Sequence, residues 1–159
     1  MNNSRLTSRL KAHSVYLTDH DLKSLSHMRS DCQLNGVDAS IVLLDWFNPN
    51  FEEIPADMPS VRVIAGDVLY KSILITPFMT TVKKLLQRCL QGEMLLCHVP
   101  RAGVTHDMVV EAAQTQGIII SPIAREEWLN DDSLSFLHCS QEEIDSATLY
   151  HLTLKYSNI

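Results

Sequence analysis

An α/β domain built on a mostly parallel sheet is the fold class this sequence predicts. Three observations lead there. Short β-rich runs alternate with longer runs of helical periodicity, Gly, Pro and Asn punctuate the boundaries between them, and the run at 61–65 reads as a buried strand. The chain has 159 residues, enough for one domain with a substantial core.

In chain order, 14–18 is the first strand run. Residues 21–35 form a helix with Leu22, Leu25, Met28 and Cys32 on one stripe, stopped by Asn35-Gly36. Strands follow at 39–44 and, after a loop marked by Pro49, Pro55 and Pro59, at 61–65, the latter expected to be buried. The strongest helical pattern covers 77–91. Thr76 is its expected cap, Pro77 lies in its first turn, Phe78, Met79, Val82, Leu85, Leu86, Cys89 and Leu90 recur at steps of three and four, and Gly92 ends it. A strand at 94–99, a helix at about 105–116 and a strand at 118–120 continue the alternation. The runs 135–139 and 148–154 suggest a closing antiparallel pair.

Apolar residues make up 45% of the chain, charged residues 20%, and the formal net charge is −6. That charge repels phosphate backbones, and the basic groups, Lys83-Lys84 and Arg5/Arg9/Lys11, are short, so nucleic acid is not an expected partner. No apolar run approaches the roughly 18–20 residues that span a bilayer, and no membrane role is expected. Cys32, Cys89, Cys97 and Cys139 match no zinc spacing and read as reduced thiols of a cytoplasmic protein, so no metal site is expected. The first ten residues carry no signal-peptide core.

Ligands of open α/β sheets bind beyond the carboxyl ends of the strands. The first strand ends in Asp19, the second in Asp45-Trp46, and the third in Asp67 with Tyr70 one helical turn on. Any one of these acids alone reads as a cap or turn residue; the three together indicate a cleft. A carboxylate suits the vicinal hydroxyls of a ribose. An acid beside an indole suits an adenine, the carboxylate taking the exocyclic amine and the ring forming an apolar wall. An acid with an aromatic suits a cation, by charge and by cation–π contact. Together they describe an adenosine-bearing cofactor beside a cationic or amine substrate. The fourth strand ends in His98, Pro100 and Arg101. His98 reads as a hydrogen-bonded structural histidine, His106 as exposed, Trp128 as core, and Arg101 as a group that could meet an acidic partner.

Three segments in this order, Thr18-Asp19-His20-Asp21-Leu22-Lys23-Ser24-Leu25 with Leu34-Asn35-Gly36, Leu44-Asp45-Trp46, and Ala65-Gly66-Asp67-Val68-Leu69-Tyr70, resemble the seven-β-strand protein-lysine methyltransferases that use S-adenosylmethionine. The resemblance runs from about residue 12 to about residue 154. It implies a Rossmann-like sheet of order 3-2-1-4-5-7-6, S-adenosyl-L-methionine as cofactor, a protein lysine as acceptor, and no metal. By position it implies that Asp19 binds the cofactor ribose, that Asp45 and Trp46 flank the adenine, and that Asp67 and Tyr70 line the methyl-transfer site.

The family opens with a strand and a Gly-rich loop. Here the glycines are at 36, 66, 92, 103 and 117, and no two are close. The resemblance therefore implies a single methyltransferase domain, 1–159, with its first strand missing: the carboxyl-terminal two-thirds of the family fold, as in a shortened gene product. Leu6 and Leu10 would belong to the helix after the missing loop. The strands at 14–18 and 61–65 would lose a common neighbour, at about 1–3 kcal/mol for each backbone group buried unpaired. Either they close up directly or the region is sticky. Two functions follow: methyl transfer to a protein lysine in the cytoplasm or nucleus, or a non-catalytic protein-interaction remnant of such an enzyme. A phospho-receiver domain fits poorly, because it needs adjacent acids at the first strand and a lysine at a late one, and residues 97–101 contain none.

Overall fold

The computed structural model describes residues 13–101, 103–129 and 140–155. The expected strand at 135–139, Cys139, Leu6, Leu10 and the basic group at 5–11 lie outside them. The chain divides into two compact units, 1–55 and 56–159.

The first unit is a β–α–β arrangement. Strand β1 (Tyr16–Asp19) and strand β2 (Ser40–Leu43) pair in parallel, Tyr16 opposite Ser40 and Asp19 opposite Leu43. Helix α1 (Leu22–Asn35) connects them and packs on both. Asp21 caps it by accepting from the Ser24 amide, and Gly36 closes it with a left-handed φ of 64°, a conformation a side chain would strain. Of the expected stripe, Leu25 is buried while Leu22 faces solvent. The first carboxylate-bearing rim follows from this pairing, since parallel neighbours end on the same side.

The second unit holds a four-stranded sheet of order β3-β4-β6-β5, with β3 (Met58–Gly66), β4 (Cys89–His98), β5 (Ile118–Pro122) and β6 (Thr148–Leu154). β3 and β4 are parallel, and β6 runs antiparallel to both β4 and β5. A 3-10 turn (Ser72–Leu74) leads into α2 (Ile75–Leu86), which links β3 to β4, and α3 (His106–Thr115) links β4 to β5. Short helices α4 (Arg125–Trp128) and α5 (Gln141–Ser146) precede β6. Met94, Leu96 and Leu152 on one sheet face are fully buried, as are Met79 and Val82 of α2 and Val109 and Ala113 of α3.

Two sequence expectations need correction. The helix predicted over 77–91 occupies 75–86, and neither Thr76 nor any other side chain caps it: the 3-10 turn supplies its entry. Cys89, Leu90 and Gly92 belong to β4, because pairing with β3 begins at Met58 opposite Cys89. The strand at 61–65, expected to be buried, alternates instead. Among the described residues it pairs only with β4, and Ile64 is 64% exposed. Register puts Ile64 beside Leu95 and His151, and Arg62 beside Glu93 and Thr153, on the face opposite Met94. There Arg62 Nε donates to Glu93 Oε1 at 2.7 Å, and His151 Nε2 lies 2.9 Å from Glu93 Oε2, which holds the Glu93 carboxyl below its usual range.

Candidate functional site

In the first unit Asp19 ends β1, and the ladder runs on as the Leu44 amide donates to the Asp19 carbonyl at 2.9 Å. Asp45 follows at the end of β2, on the same rim of the two-stranded sheet. Each acid uses one carboxylate oxygen locally. Asp19 Oδ1 accepts from the Asp21 amide and Asp45 Oδ1 from the Phe47 amide, both at 2.9 Å. These are Asx turns, the local role that acids in loops commonly take. The second oxygen of each makes no hydrogen bond among the described residues, which fits it to accept from a hydroxyl or an amine. Trp46 is half-buried beside them in sequence.

In the second unit Asp67 sits just past the carboxyl end of β3. Its amide donates to the Cys97 carbonyl at 2.9 Å, extending the parallel ladder, and its φ of 51° turns the chain sharply out of the sheet. Asp tolerates this left-handed region better than most residues. Leu69 is buried and anchors the segment, so Tyr70 emerges on the surface, 51% exposed.

Both members of this acid–aromatic pair hold a cation of their own chain. Arg101 makes a forked contact with the Asp67 carboxylate: Nε donates to Oδ1 at 3.3 Å and a terminal nitrogen reaches Oδ2. Lys71 Nζ stands 5.7 Å from the centre of the Tyr70 ring, within cation–π range. The Asp67 carboxylate raises the Arg101 pKa above its ordinary value. Arg101 is placed by a tight turn, its amide donating to Val104 and its carbonyl accepting from Val104 at 3.0 and 2.9 Å. Its other terminal nitrogen lies 3.6 Å from Glu143 Oε1.

Glu143 was not visible as a site residue in the sequence, although Ser140 and Glu143 carry the spacing of a capping box. The box forms: the Glu143 amide donates to Ser140 Oγ, and Glu143 Oε2 accepts from the Ser140 amide. This bonding, with Arg101 second, holds the Glu143 carboxyl below its usual range.

His98 ends β4. It is 1% exposed, and neither ring nitrogen has a hydrogen-bond partner among the described residues. The expected hydrogen bond to a protein group is thus not formed among the described residues, and burial pushes the His98 pKa down to about 4. His106, expected to be exposed, is half-buried. Its ring meets His98 edge-on at 5.1 Å, its Nδ1 lies 3.1 Å from the Tyr150 hydroxyl, and its Nε2 lies 3.1 Å from the Ser146 carbonyl. Cys89 and Cys97 are free and half-buried, and burial raises both thiols. Among the described residues no three His, Cys, Asp or Glu side chains gather as metal ligands, and no helix is long and apolar enough to cross a membrane.

No family model matches the chain, and no curated protein matches it in sequence. Solved structures do match. Across 98% of this chain and 81% of the other, it superposes on an S-adenosylmethionine-dependent methyltransferase from Clostridium acetobutylicum with a TM-score of 0.61 at 10% identity. The fold is the Rossmann-like methyltransferase fold. A magnesium protoporphyrin IX methyltransferase from Synechocystis, solved with bound S-adenosylmethionine, matches over 92% of this chain and 62% of its own length, with a TM-score of 0.56 and 12% identity. A putative rRNA methylase from Clostridium thermocellum matches over 91% and 74%, with a TM-score of 0.51 and 10% identity. Within the second unit the sheet order β3-β4-β6-β5 matches the 4-5-7-6 part of the order that the resemblance implies. The antiparallel carboxyl-terminal strand is β6.

Proposed function

We propose that this chain belongs to an S-adenosylmethionine-dependent methyltransferase whose acceptor is a protein lysine. The observation that carries the reading is the Asp67–Tyr70 pair at the carboxyl end of β3, each member of which attracts a cation. The methyltransferase fold supports the cofactor class. The acceptor class rests on the acid–aromatic chemistry and on the sequence resemblance.

The carboxylate oxygens of Asp19 and Asp45 that accept nothing from the described residues suit the cofactor's ribose hydroxyls and adenine amine, and Trp46 supplies an apolar wall. The bound cofactor would supply an electrophilic methyl group on its sulfonium. Asp67 and Tyr70 would hold the incoming lysine, strip part of its hydration and orient the amine once it has lost its proton. A protein partner in the cytoplasm or nucleus, with no role for nucleic acid or membrane, completes the proposal.

Calorimetric titration with S-adenosylhomocysteine tests it. The chain is expected to bind, and Asp19→Ala and Asp45→Ala are each expected to weaken binding by roughly tenfold, the worth of a hydrogen bond to a charged group. No binding by the wild-type chain retires the enzymatic reading. One observation favours the second reading, a non-catalytic interaction protein: among the described residues β1 and β3 each have a single ladder partner, and exposed Ile64 lies on β3. Saturable binding of a lysine-rich partner without methyl transfer would support it; methylation of a peptide array by the purified chain would exclude it.

A further inference from the structure

The acid of the acceptor pair is already neutralised by a residue 34 positions away in sequence. A forked guanidinium–carboxylate contact is the strongest geometry an arginine offers, and it saturates the donors a carboxylate can accept from one direction. An ammonium group arriving at Asp67 therefore competes with Arg101 for the same oxygens.

The structure also provides a second seat. Glu143 is held through Oε2 by the capping box, which leaves Oε1 facing Arg101 at 3.6 Å. That contact is longer than the one to Asp67, so the guanidinium rests on Asp67 with Glu143 beside it. The Arg101 backbone is pinned to Val104, itself fully buried, so a change of partner needs only side-chain rotation. All three side chains are partly exposed, and the exchange requires no opening of the core.

We infer that Arg101 is a latch on the acceptor site: it occupies the Asp67 carboxylate when no substrate is bound, and a cationic side chain displaces it toward Glu143. This rests on the reading of Asp67 and Tyr70 as the acceptor pair, and it adds to that reading a regulation and a selectivity. A neutral side chain brings no charge with which to displace the guanidinium, so the latch discriminates against it. Arg101 acts through Asp67 and is a positioning residue.

The test follows amide and arginine Nε–H resonances of the full chain by NMR during titration with n-butylammonium chloride at matched ionic strength, with n-butanol as the neutral control. Arg101→Ala is expected to bind the ammonium about two- to fivefold more tightly than wild type, the range set by an exposed ion pair. Arg101→Lys, which keeps the charge but not the fork, should fall between wild type and Arg101→Ala, Glu143→Gln should bind more weakly than wild type, and n-butanol should not distinguish the variants. Asp67→Asn should shift the Arg101 Nε–H resonance. Equal ammonium affinity for wild type and Arg101→Ala overturns the latch, as does absence of saturable binding by Arg101→Ala or an Arg101 resonance indifferent to Asp67→Asn. These results are separable from failure of the methyltransferase reading, which is scored by S-adenosylhomocysteine calorimetry on the same samples.

Discussion

His98 carries the clearest consequence at the scale of a single residue. Its ring is buried with both nitrogens unpartnered, and its pKa falls to about 4 against about 6.5 in an unfolded chain. Between those values the unfolded state binds more protons than the folded one, so stability is retained above pH 6.5 and lost as pH falls toward 4. Urea midpoints measured from pH 7 to pH 4 should show this loss, of order 1–3 kcal/mol beyond that of the variant His98→Gln. His98 was legible as a strand-end histidine, but its burial was not, because no local pattern reveals which neighbours close over a ring. Asp67 and Tyr70 were legible for the opposite reason. Their place just after an apolar strand sets which end of the sheet they occupy. Their occupancy by Arg101 and Lys71 divides along the same line: Lys71 is adjacent in sequence, whereas Arg101 arrives from the turn after another strand.

At the scale of the element, the helix–strand boundary near residue 90 shows where periodicity misleads. Cys89 and Leu90 keep the three- and four-residue spacing of α2, yet β4 begins at Cys89. Backbone pairing with β3 decides the matter, since a strand start satisfies its amides from a neighbour that is distant in sequence. Gly92, read as a helix stop, is needed for closeness instead. A Cβ there would stand 2.8 Å from Cys89 Sγ and 3.1 Å from the Leu86 carbonyl. Gly92→Ala should cost about 1–3 kcal/mol in urea unfolding. Gly66→Ala, with nothing within 4 Å of the new methyl, should stay within about 0.5 kcal/mol of wild type. The capping box of α5 offers a second check. Ser140→Ala should destabilise by roughly 1 kcal/mol, read from the same denaturation curves.

For the whole molecule, the described strands form two sheets, one in each compact unit. The second unit has an ample core of its own, with Met79, Leu86, Met94, Leu96, Val109 and Leu152 all fully buried. A fragment of residues 56–159 should therefore unfold cooperatively in urea. A fragment of 1–55 should not, since a two-stranded sheet with one helix offers little apolar area to bury. Edge strand β3, with Ile64 on its surface, should drive concentration-dependent association. Sedimentation velocity should show that association reduced in Ile64→Lys.

Sequence alone determined the alternation of elements, the Gly36 stop of α1 and the acids at the ends of three strands, because each depends on residues within one or two turns of chain. Tertiary structure decided which strands pair, where β4 begins, that β3 is half exposed, and that Arg101 and Glu143 stand beside Asp67. These are contacts between segments tens of residues apart, and only packing and backbone pairing select among the partners that local chemistry leaves open.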